Sequence, residues 1–106
     1  MIAVIFEVVL NSARASRYFD LAAALRPELE KADGFLSIER FQSLNQDNKY
    51  VSLSFWRDRA AVDAWYRHAG HREAQLEGRE SVFENYRIRV AEVFRDYDLA
   101  DGRPQV

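Results

Sequence analysis

The chain begins with a segment that is apolar at nearly every position. Ile2 to Leu10 reads IAVIFEVVL, in which Glu7 carries the only charge. β-branched and aromatic residues dominate the segment, so it is predicted to be a β-strand. A strand with two apolar faces needs cover on both sides, because either face left in water would be an unusual apolar surface. The chain is therefore expected to form a sheet that is covered on both faces.

A helical pattern follows this strand. Asn11 and Ser12 offer the side-chain oxygens that cap a helix N-terminus. Apolar residues then recur at helical spacing, at Tyr18, Leu21, Ala22, Leu25, Leu29 and Ala32. Pro27 lies inside the pattern and is expected to kink the helix or divide it into two short ones. Gly34 is expected to end it, because glycine readily adopts the left-handed backbone conformation found after a helix.

A β-hairpin is predicted next. Residues 35–44 and 49–56 flank the polar turn Asn45 to Asn48. The second of these strands alternates clearly, with one face formed by Val51, Leu53 and Phe55 and the other by Tyr50, Ser52, Ser54 and Trp56. In the first strand, one face is expected to hold Leu36 and Ile38, and the other Phe35, Glu39 and Phe41.

The second half of the chain is predicted to hold two short helices and a final strand. Asp58 caps a helix that carries Val62, Trp65 and Tyr66, and Ala69-Gly70 is expected to break it. A further helix is expected over residues 71–82 and a long strand over residues 86–97. The chain thus divides into one domain, residues 1–97, and a C-terminal tail, residues 98–106, without periodicity.

The element order β-α-β-β-α-β predicts an α+β fold of the ferredoxin-like type, an antiparallel sheet with helices on one face. The other face keeps apolar residues, expected to be Ile5, Val9, Tyr50, Trp56, Val93 and Tyr97. A monomer would expose them as one patch. Two subunits that pack these faces together would cover it, so a homodimer is predicted.

Composition excludes several classes of protein. A formal net charge of −2 at pH 7 gives no reason to expect binding to nucleic acid or to an anionic membrane. No cysteine is present, which excludes disulfides, thiolate nucleophiles and cysteine-bound zinc. No signal peptide, membrane span, dinucleotide fingerprint or phosphate-binding loop is visible. The expected location is the cytoplasm.

Several residues together resemble a known family. They are Gly34-Phe35, Phe55-Trp56, Trp65, His71, Ala74-Gln75, Gly78-Arg79, the segment YRIRVAEV at 86–93, and Tyr97. In these residues the chain resembles the antibiotic biosynthesis monooxygenase superfamily of dimeric α/β-barrel proteins. The topology is similar over residues 1–97 and the motifs over residues 55–97.

The resemblance implies a range of activities. The best-known branches of this superfamily are cofactor-independent monooxygenases that oxidise electron-rich phenols and quinols. The superfamily also includes haem degraders and stress-related proteins. The haem-degrading branch uses an Asn, a Trp and a His. Trp65 matches the Trp, but the His position falls at Gln75 and the Asn region reads Phe6-Glu7-Val8. A cofactor-free monooxygenase of a small aromatic molecule is therefore expected, with haem binding or degradation and a non-catalytic small-molecule binder as alternatives.

His71 is the candidate catalytic residue. His71, Ala74, Gln75 and Gly78 share one helical stripe that is too polar and too small for a core face, so the stripe is interpreted as a pocket wall. A neutral imidazole suits a base near neutral pH. The alternative is a structural histidine bonded to backbone at the start of the helix. His68 lies three residues away, but no third ligand follows at a convincing spacing, so no metal site is predicted.

The candidate substrate-binding residues are Trp56, Trp65, Gln75, Arg79, Tyr50 and Tyr86. Aromatic faces suit a planar substrate, and Arg79 suits an anionic group of the substrate or a glutamate across the dimer. The alternative for the aromatic residues is plain core packing. Trp56 is expected on the face of the sheet turned away from the helices, and is for that reason preferred to Trp65 as a pocket residue.

Overall fold

The computed structural model describes residues 1–77 and 83–101, apart from the side chains of residues 69–77. Its strands and helices are β1 (Ile2–Leu10), α1 (Ala15–Glu30), β2 (Phe35–Gln42), β3 (Lys49–Trp56), α2 (Arg59–Glu77) and β4 (Phe83–Glu92). Short 3-10 turns lie at Ser12–Arg14 and Leu99–Asp101. The strand order is β2-β3-β1-β4, and every pairing is antiparallel. The ferredoxin-like α+β prediction is confirmed.

β1 is a central strand and is paired along its length on both sides. Ile2 lies opposite Trp56 of β3 and opposite Glu92 of β4. At the other end, Val8 lies opposite Tyr50 and Tyr86. The residues of β1 that face the helices include Ile2, Val4, Val8 and Leu10, all of them buried. The apolar opening segment thus forms the middle of the sheet, as a strand without a polar face requires.

The core on the helix side of the sheet consists of two separate clusters. The first joins Ile2, Val4, Leu29, Trp56, Ala61 and Val62. The second joins Val8, Leu10 and Tyr18. Each fully buried Val, Leu or Ile side chain in these clusters contributes about 1.5–3 kcal/mol to stability. The two clusters lie at opposite ends of β1. On the helix side, Phe6 of β1 and Ser52 opposite it on β3 lie between them.

Both helices continue where the sequence predicted a possible division, which at Pro27 was the alternative to a kink. α1 runs through Pro27 to Glu30, because the proline lies near the helix end and Leu29 after it is buried in the first cluster. Proline has no backbone N–H, so only one intrahelical hydrogen bond is lost there. α2 runs unbroken from Arg59 to Glu77, so the predicted division at Ala69-Gly70 was wrong. A single glycine lowers helix stability by about 1 kcal/mol and does not by itself end a helix.

A bulge changes the faces predicted for β2. The register with β3 shifts between Phe35 and Ser37, so Phe35 faces the helices, and its ring centroid lies 5.4 Å from that of Trp56. Leu36, predicted to share a face with Ile38, is 55% exposed. β4 also differs, since it spans Phe83–Glu92 rather than residues 86–97. A bulge adds one residue to one strand, which simple alternation does not reveal.

The face of the sheet opposite the helices, here called the outer face, is apolar at its centre. The register places Ala3, Ile5 and Val9 of β1 on it, and from β3 Val51, Leu53 and Phe55. Arg89 Nη1 and Glu7 Oε2 form an ion pair there at 2.8 Å. Tyr50 and Trp56 lie on the helix side, so their assignment to the outer face was wrong. The outer face has other apolar residues in their place.

A tight corner joins α1, β2 and α2. Gly34 has φ +84°, and a Cβ atom on it would lie 2.5 Å from Ala61 Cβ. The Gly34 carbonyl accepts a hydrogen bond from the Arg57 backbone N–H at 2.8 Å. The Arg57 guanidinium donates to both carboxylate oxygens of Asp33, at 3.1 and 3.0 Å. Its Nε donates to Asp58 Oδ2 at 3.1 Å, and Asp58 Oδ1 caps α2 by accepting from Ala61 N at 2.9 Å.

These contacts shift the pKa values of both aspartates. The hydrogen bonds from Arg57, followed by its positive charge, lower the pKa of Asp33. The backbone N–H of Ala61 and then the Arg57 side chain lower the pKa of Asp58. The Asp33 side chain is exposed and that of Asp58 is half exposed, so solvent screens their contribution to stability.

We expect Gly34→Ala to destabilise the protein by about 2 kcal/mol or more, because it combines an unfavourable φ with a steric clash. Urea denaturation measures the change. Gly34→Ala should cost less when it is made in an Ala61→Gly background, because the clashing Cβ is then absent. Equal costs in the two backgrounds would show that the close approach to Ala61 has no energetic weight.

We expect the stabilising effect of Arg57 to depend on pH. A lowered pKa in the folded state stabilises the fold above the ordinary aspartate pKa of about 3.9, and this effect is lost as pH falls through the lowered values. The melting temperature of Arg57→Gln should therefore lie below wild type at pH 7 and approach it near pH 2. A difference that stays constant between pH 7 and pH 2 would contradict this assignment.

Candidate functional site

One row of side chains crosses the helix side of the sheet between the two core clusters. Arg40 of β2 lies opposite Ser52 of β3, Ser52 lies opposite Phe6 of β1, and Phe6 lies opposite Ile88 of β4. We call this row the central trough. Strands are about 4.8 Å apart, so the row is about 14 Å long, which is the length of a small polycyclic molecule.

On the two central strands, the helices cover the central trough less than the two rows toward the first cluster. On the two central strands, Ser54 and Val4 are buried in the next row, as are Trp56 and Ile2 beyond it. Neither Ser52 nor Phe6 is buried. Ser52 is also small, so it leaves space above the sheet that a larger apolar residue would fill. Phe6 packs against the second cluster, so the small side chain of Ser52 marks the part of this row with the least apolar packing.

The β4 end of the trough is an open apolar platform. Tyr86, Ile88 and Val90 point to the helix side and are 56%, 40% and 53% exposed. Phe6 lies beside them, with its ring centroid 5.8 Å from that of Tyr86 and 6.0 Å from that of Phe83. Exposed apolar residues in one contiguous patch are typical of a binding surface. Aromatic edges and faces at this spacing suit a planar ligand.

The β2 end of the trough is polar. Arg40 Nε donates a hydrogen bond to the Tyr18 hydroxyl at 3.3 Å. The Arg40 guanidinium carbon also lies 5.4 Å from the centroid of the Tyr18 ring. Tyr18 itself is 8% exposed and belongs to the second core cluster, so α1 holds the arginine from a fixed position. The trough is therefore charged at one end and apolar at the other.

The structure separates the aromatic residues that the sequence proposed for substrate binding. Tyr86 lies on the open platform. Tyr50 lies one row from the trough on the helix side, where its ring centroid is 5.1 Å from that of Phe19. Trp56 is 2% exposed and lies among Phe35 and Trp65, with its Nε1 donating to Ser54 Oγ at 2.9 Å. The expectation that Trp56 faces away from the helices was wrong, and its surroundings support the core interpretation.

Trp65 lies at the edge of the first core cluster and faces a groove between α1 and α2. The groove has a volume of about 380 Å³ and also includes Glu28 and His68. His68 Nε2 lies 3.6 Å from Glu28 Oε2, and its ring centroid is 5.6 Å from that of Trp65.

No group of three metal-ligating side chains occurs among residues whose side chains the structure describes. Within the described helices, none has the length and apolar character of a membrane span.

Three proposed site residues cannot be placed. The side chains of His71 and Gln75, on α2, and the whole of Arg79 lie outside the described residues. Their roles stay predictions. The sequence also failed to identify Arg40 and Ser52. The available signal was the pair Ser52 and Ser54 on the helix-facing side of β3, small polar residues where a fully packed core would place large apolar ones.

Comparisons with known proteins agree with this fold. The family model described as antibiotic biosynthesis monooxygenase matches residues 1–76. The "Jasmonate monooxygenase ABM" of Pyricularia oryzae is 42% identical over 93 residues, covering 88% of this chain. The alignment covers 43% of that protein, so the chain spans less than half the length of this relative. The "Uncharacterized protein YqjZ" of Bacillus subtilis is 31% identical over 93 residues, covering 88% of this chain and 79% of that protein.

Solved structures share the architecture at lower identity. The heme-degrader MhuD from Mycobacterium tuberculosis, solved with two hemes in its active site, has a TM-score of 0.67 and 18% sequence identity. The alignment covers 92% of this chain and 100% of the MhuD chain. At this identity the likeness establishes the fold alone. The family model and the two relatives go further, and they show that the chain belongs to the antibiotic biosynthesis monooxygenase family.

Proposed function

We propose that the protein is a cofactor-independent monooxygenase that oxidises an electron-rich aromatic molecule, such as a phenol or quinol, with dioxygen. Family membership supports the reaction class. The half-covered central trough is the observation that supports the substrate class, because Tyr86, Ile88 and Val90 form an open apolar platform beside the Phe6 ring. A planar molecule bound there would replace the missing apolar cover over Phe6.

The proposed reaction has four steps. A base removes a proton from the substrate, and the resulting anion transfers an electron to dioxygen. The two radicals combine into a carbon-bound peroxide, which loses water and leaves a carbonyl. A methylene group and one dioxygen thus give one carbonyl and one water, and no outside reductant is needed. The protein supplies the base and the orientation of the substrate.

His71 remains the proposed base. α2 includes His71 in its C-terminal half, while its N-terminal half packs against the first core cluster through Ala61 and Val62. A neutral imidazole accepts a proton at physiological pH. His68 is the other histidine of the chain, and its imidazole lies beside Glu28 and Trp65 in the helix groove. It therefore serves as a control for the removal of an imidazole from the same helix.

Two other substrates follow from the relatives. The name of the Pyricularia protein specifies jasmonate, and 42% identity makes jasmonate a second candidate substrate. Haem is less favoured here, because Gln75 stands at the histidine position of the haem-degrading branch and Phe6-Glu7-Val8 at its asparagine region. A non-catalytic role as a small-molecule binder uses the same trough without the oxidation.

We propose that the active form is a homodimer that joins through the outer face. Leu53 and Phe55 of β3 lie beside Ile5 of β1 on this face, and no helix of the described chain covers them. Glu7 and Arg89, which form an ion pair, give each subunit one negative and one positive side chain for contacts across the interface. A cytoplasmic location and the absence of nucleic-acid and membrane partners stay predictions.

We expect the protein to accelerate oxygen uptake with at least one member of a panel of hydroquinones, anthrones and jasmonate. His71→Ala should lower the rate about 100-fold or more, as the loss of a general base does. An oxygen electrode measures uptake, and chromatography measures the carbonyl product.

His68→Ala is the matched control and should keep the wild-type rate, because its side chain lies in the helix groove. Equal activity of wild type and His71→Ala would exclude His71 as the base. An uptake no faster than the buffer rate for every compound would exclude the monooxygenase proposal for that panel's substrate classes.

We expect light scattering to give a mass of about twice 12.4 kDa, independent of concentration in the micromolar range. Leu53→Glu should shift the protein toward a monomer, because it buries an unpaired charge in the proposed interface. Leu44→Glu, at a fully exposed turn residue, should leave the mass unchanged. A wild-type mass near 12.4 kDa at every concentration would contradict the dimer.

A further inference from the structure

We propose that the substrate carries a carboxylate, which Arg40 binds at the polar end of the central trough. This inference rests on the proposed function for the reaction, but its geometry is separate from the reacting groups. It concerns the β2 end of the row, whereas the ring of the substrate would lie on the platform at the β4 end. The substrate class is thus narrowed from aromatic molecules to aromatic acids.

The first observation is the orientation of Arg40. An arginine on an edge strand often serves only to prevent sheets from pairing, so exposure alone would not single it out. Arg40 is held differently, since its Nε donates to the Tyr18 hydroxyl and its guanidinium lies over the Tyr18 ring. Tyr18 is fixed in the second core cluster. Tyr18 therefore holds the guanidinium at the β2 end of the trough, where Arg40 is exposed and can be reached by a ligand.

The second observation is that Arg40 has donors to spare. Among side chains that the structure describes, no carboxylate forms an ion pair with Arg40, and Nε is its only hydrogen-bonding nitrogen. The two terminal nitrogens of a guanidinium form a fork that matches a carboxylate. Other arginines of the described chain, such as Arg57 and Arg89, have carboxylate partners.

The third observation is the order of residues along the row. Ser52 stands next to Arg40, and its hydroxyl faces the same side of the sheet. Phe6 and Ile88 follow toward β4. A rigid aromatic acid that lies along the row would meet a hydrogen-bond donor and a cation first, and then apolar surface. This order defines which end of the substrate lies over the apolar platform.

A calorimetric titration with an unreactive probe tests the inference apart from catalysis. We expect 1-naphthoate to bind with a Kd below about 1 mM, and methyl 1-naphthoate to bind about tenfold or more weakly, since the ester has no charge. Arg40→Met should weaken naphthoate binding about tenfold and leave the ester unchanged. Tyr18→Phe keeps the ring but removes the hydroxyl that holds Nε, and should produce a smaller loss.

Two arginine variants are the controls. Arg26→Met removes an exposed arginine of α1 that pairs with Glu30, and should not change naphthoate binding. Arg79→Met tests the arginine that the sequence proposed as the anion anchor. A loss confined to Arg79→Met, equal affinity for the acid and the ester, or no saturable binding of naphthoate below 1 mM would each overturn the inference.

The outcomes separate this inference from the proposed function. Binding that depends on Arg40, without oxygen uptake by any acid in the panel, supports the carboxylate site and contradicts the monooxygenase. Oxygen uptake that is equal for acids and their esters, and unchanged in Arg40→Met, supports the monooxygenase and overturns the carboxylate site. A melting temperature of Arg40→Met equal to that of wild type would show that the loss of binding does not come from a loss of folding.

Discussion

The position of β1 between two other strands determines most of this structure. A central strand satisfies its backbone hydrogen bonds on both sides, so both of its faces become available for side-chain packing. One face is covered by α1 and α2, and the other is apolar and has no helix over it in the described chain. The helices, the trough and the outer face are all defined relative to this strand.

The sequence predicted the architecture well because its strongest signals are local. The bounds of β1 and β3 agree with the predicted segments, and the stripe Tyr18, Leu25 and Leu29 of α1 is the side that packs on the sheet. It predicted the faces of individual residues less well. Trp56 was placed on the wrong face because alternation does not say which face meets the helices. Phe35 was placed wrongly because of the bulge.

The site was harder to predict than the fold, because it depends on contacts between distant parts of the chain. Arg40 becomes notable only through Tyr18, 22 residues earlier, and through a register that joins four strands. The sequence favoured histidine and tryptophan, which are rare residues with distinctive chemistry. It gave no reason to select one arginine among many. Serine at a helix-facing strand position was the available signal, and it marks missing core volume rather than a reactive group.

The divided core has a consequence for how the protein responds to a ligand. Two clusters that share no buried residue can open separately, so amide hydrogens near Val8 and near Val4 need not exchange at one common rate. A molecule bound at the proposed site in the trough would lie between the two clusters and would add packing to both. The folded state would then gain the binding free energy, and the two halves would open together. Under the proposed function, the ligand would therefore add apolar contacts between the two halves of the core.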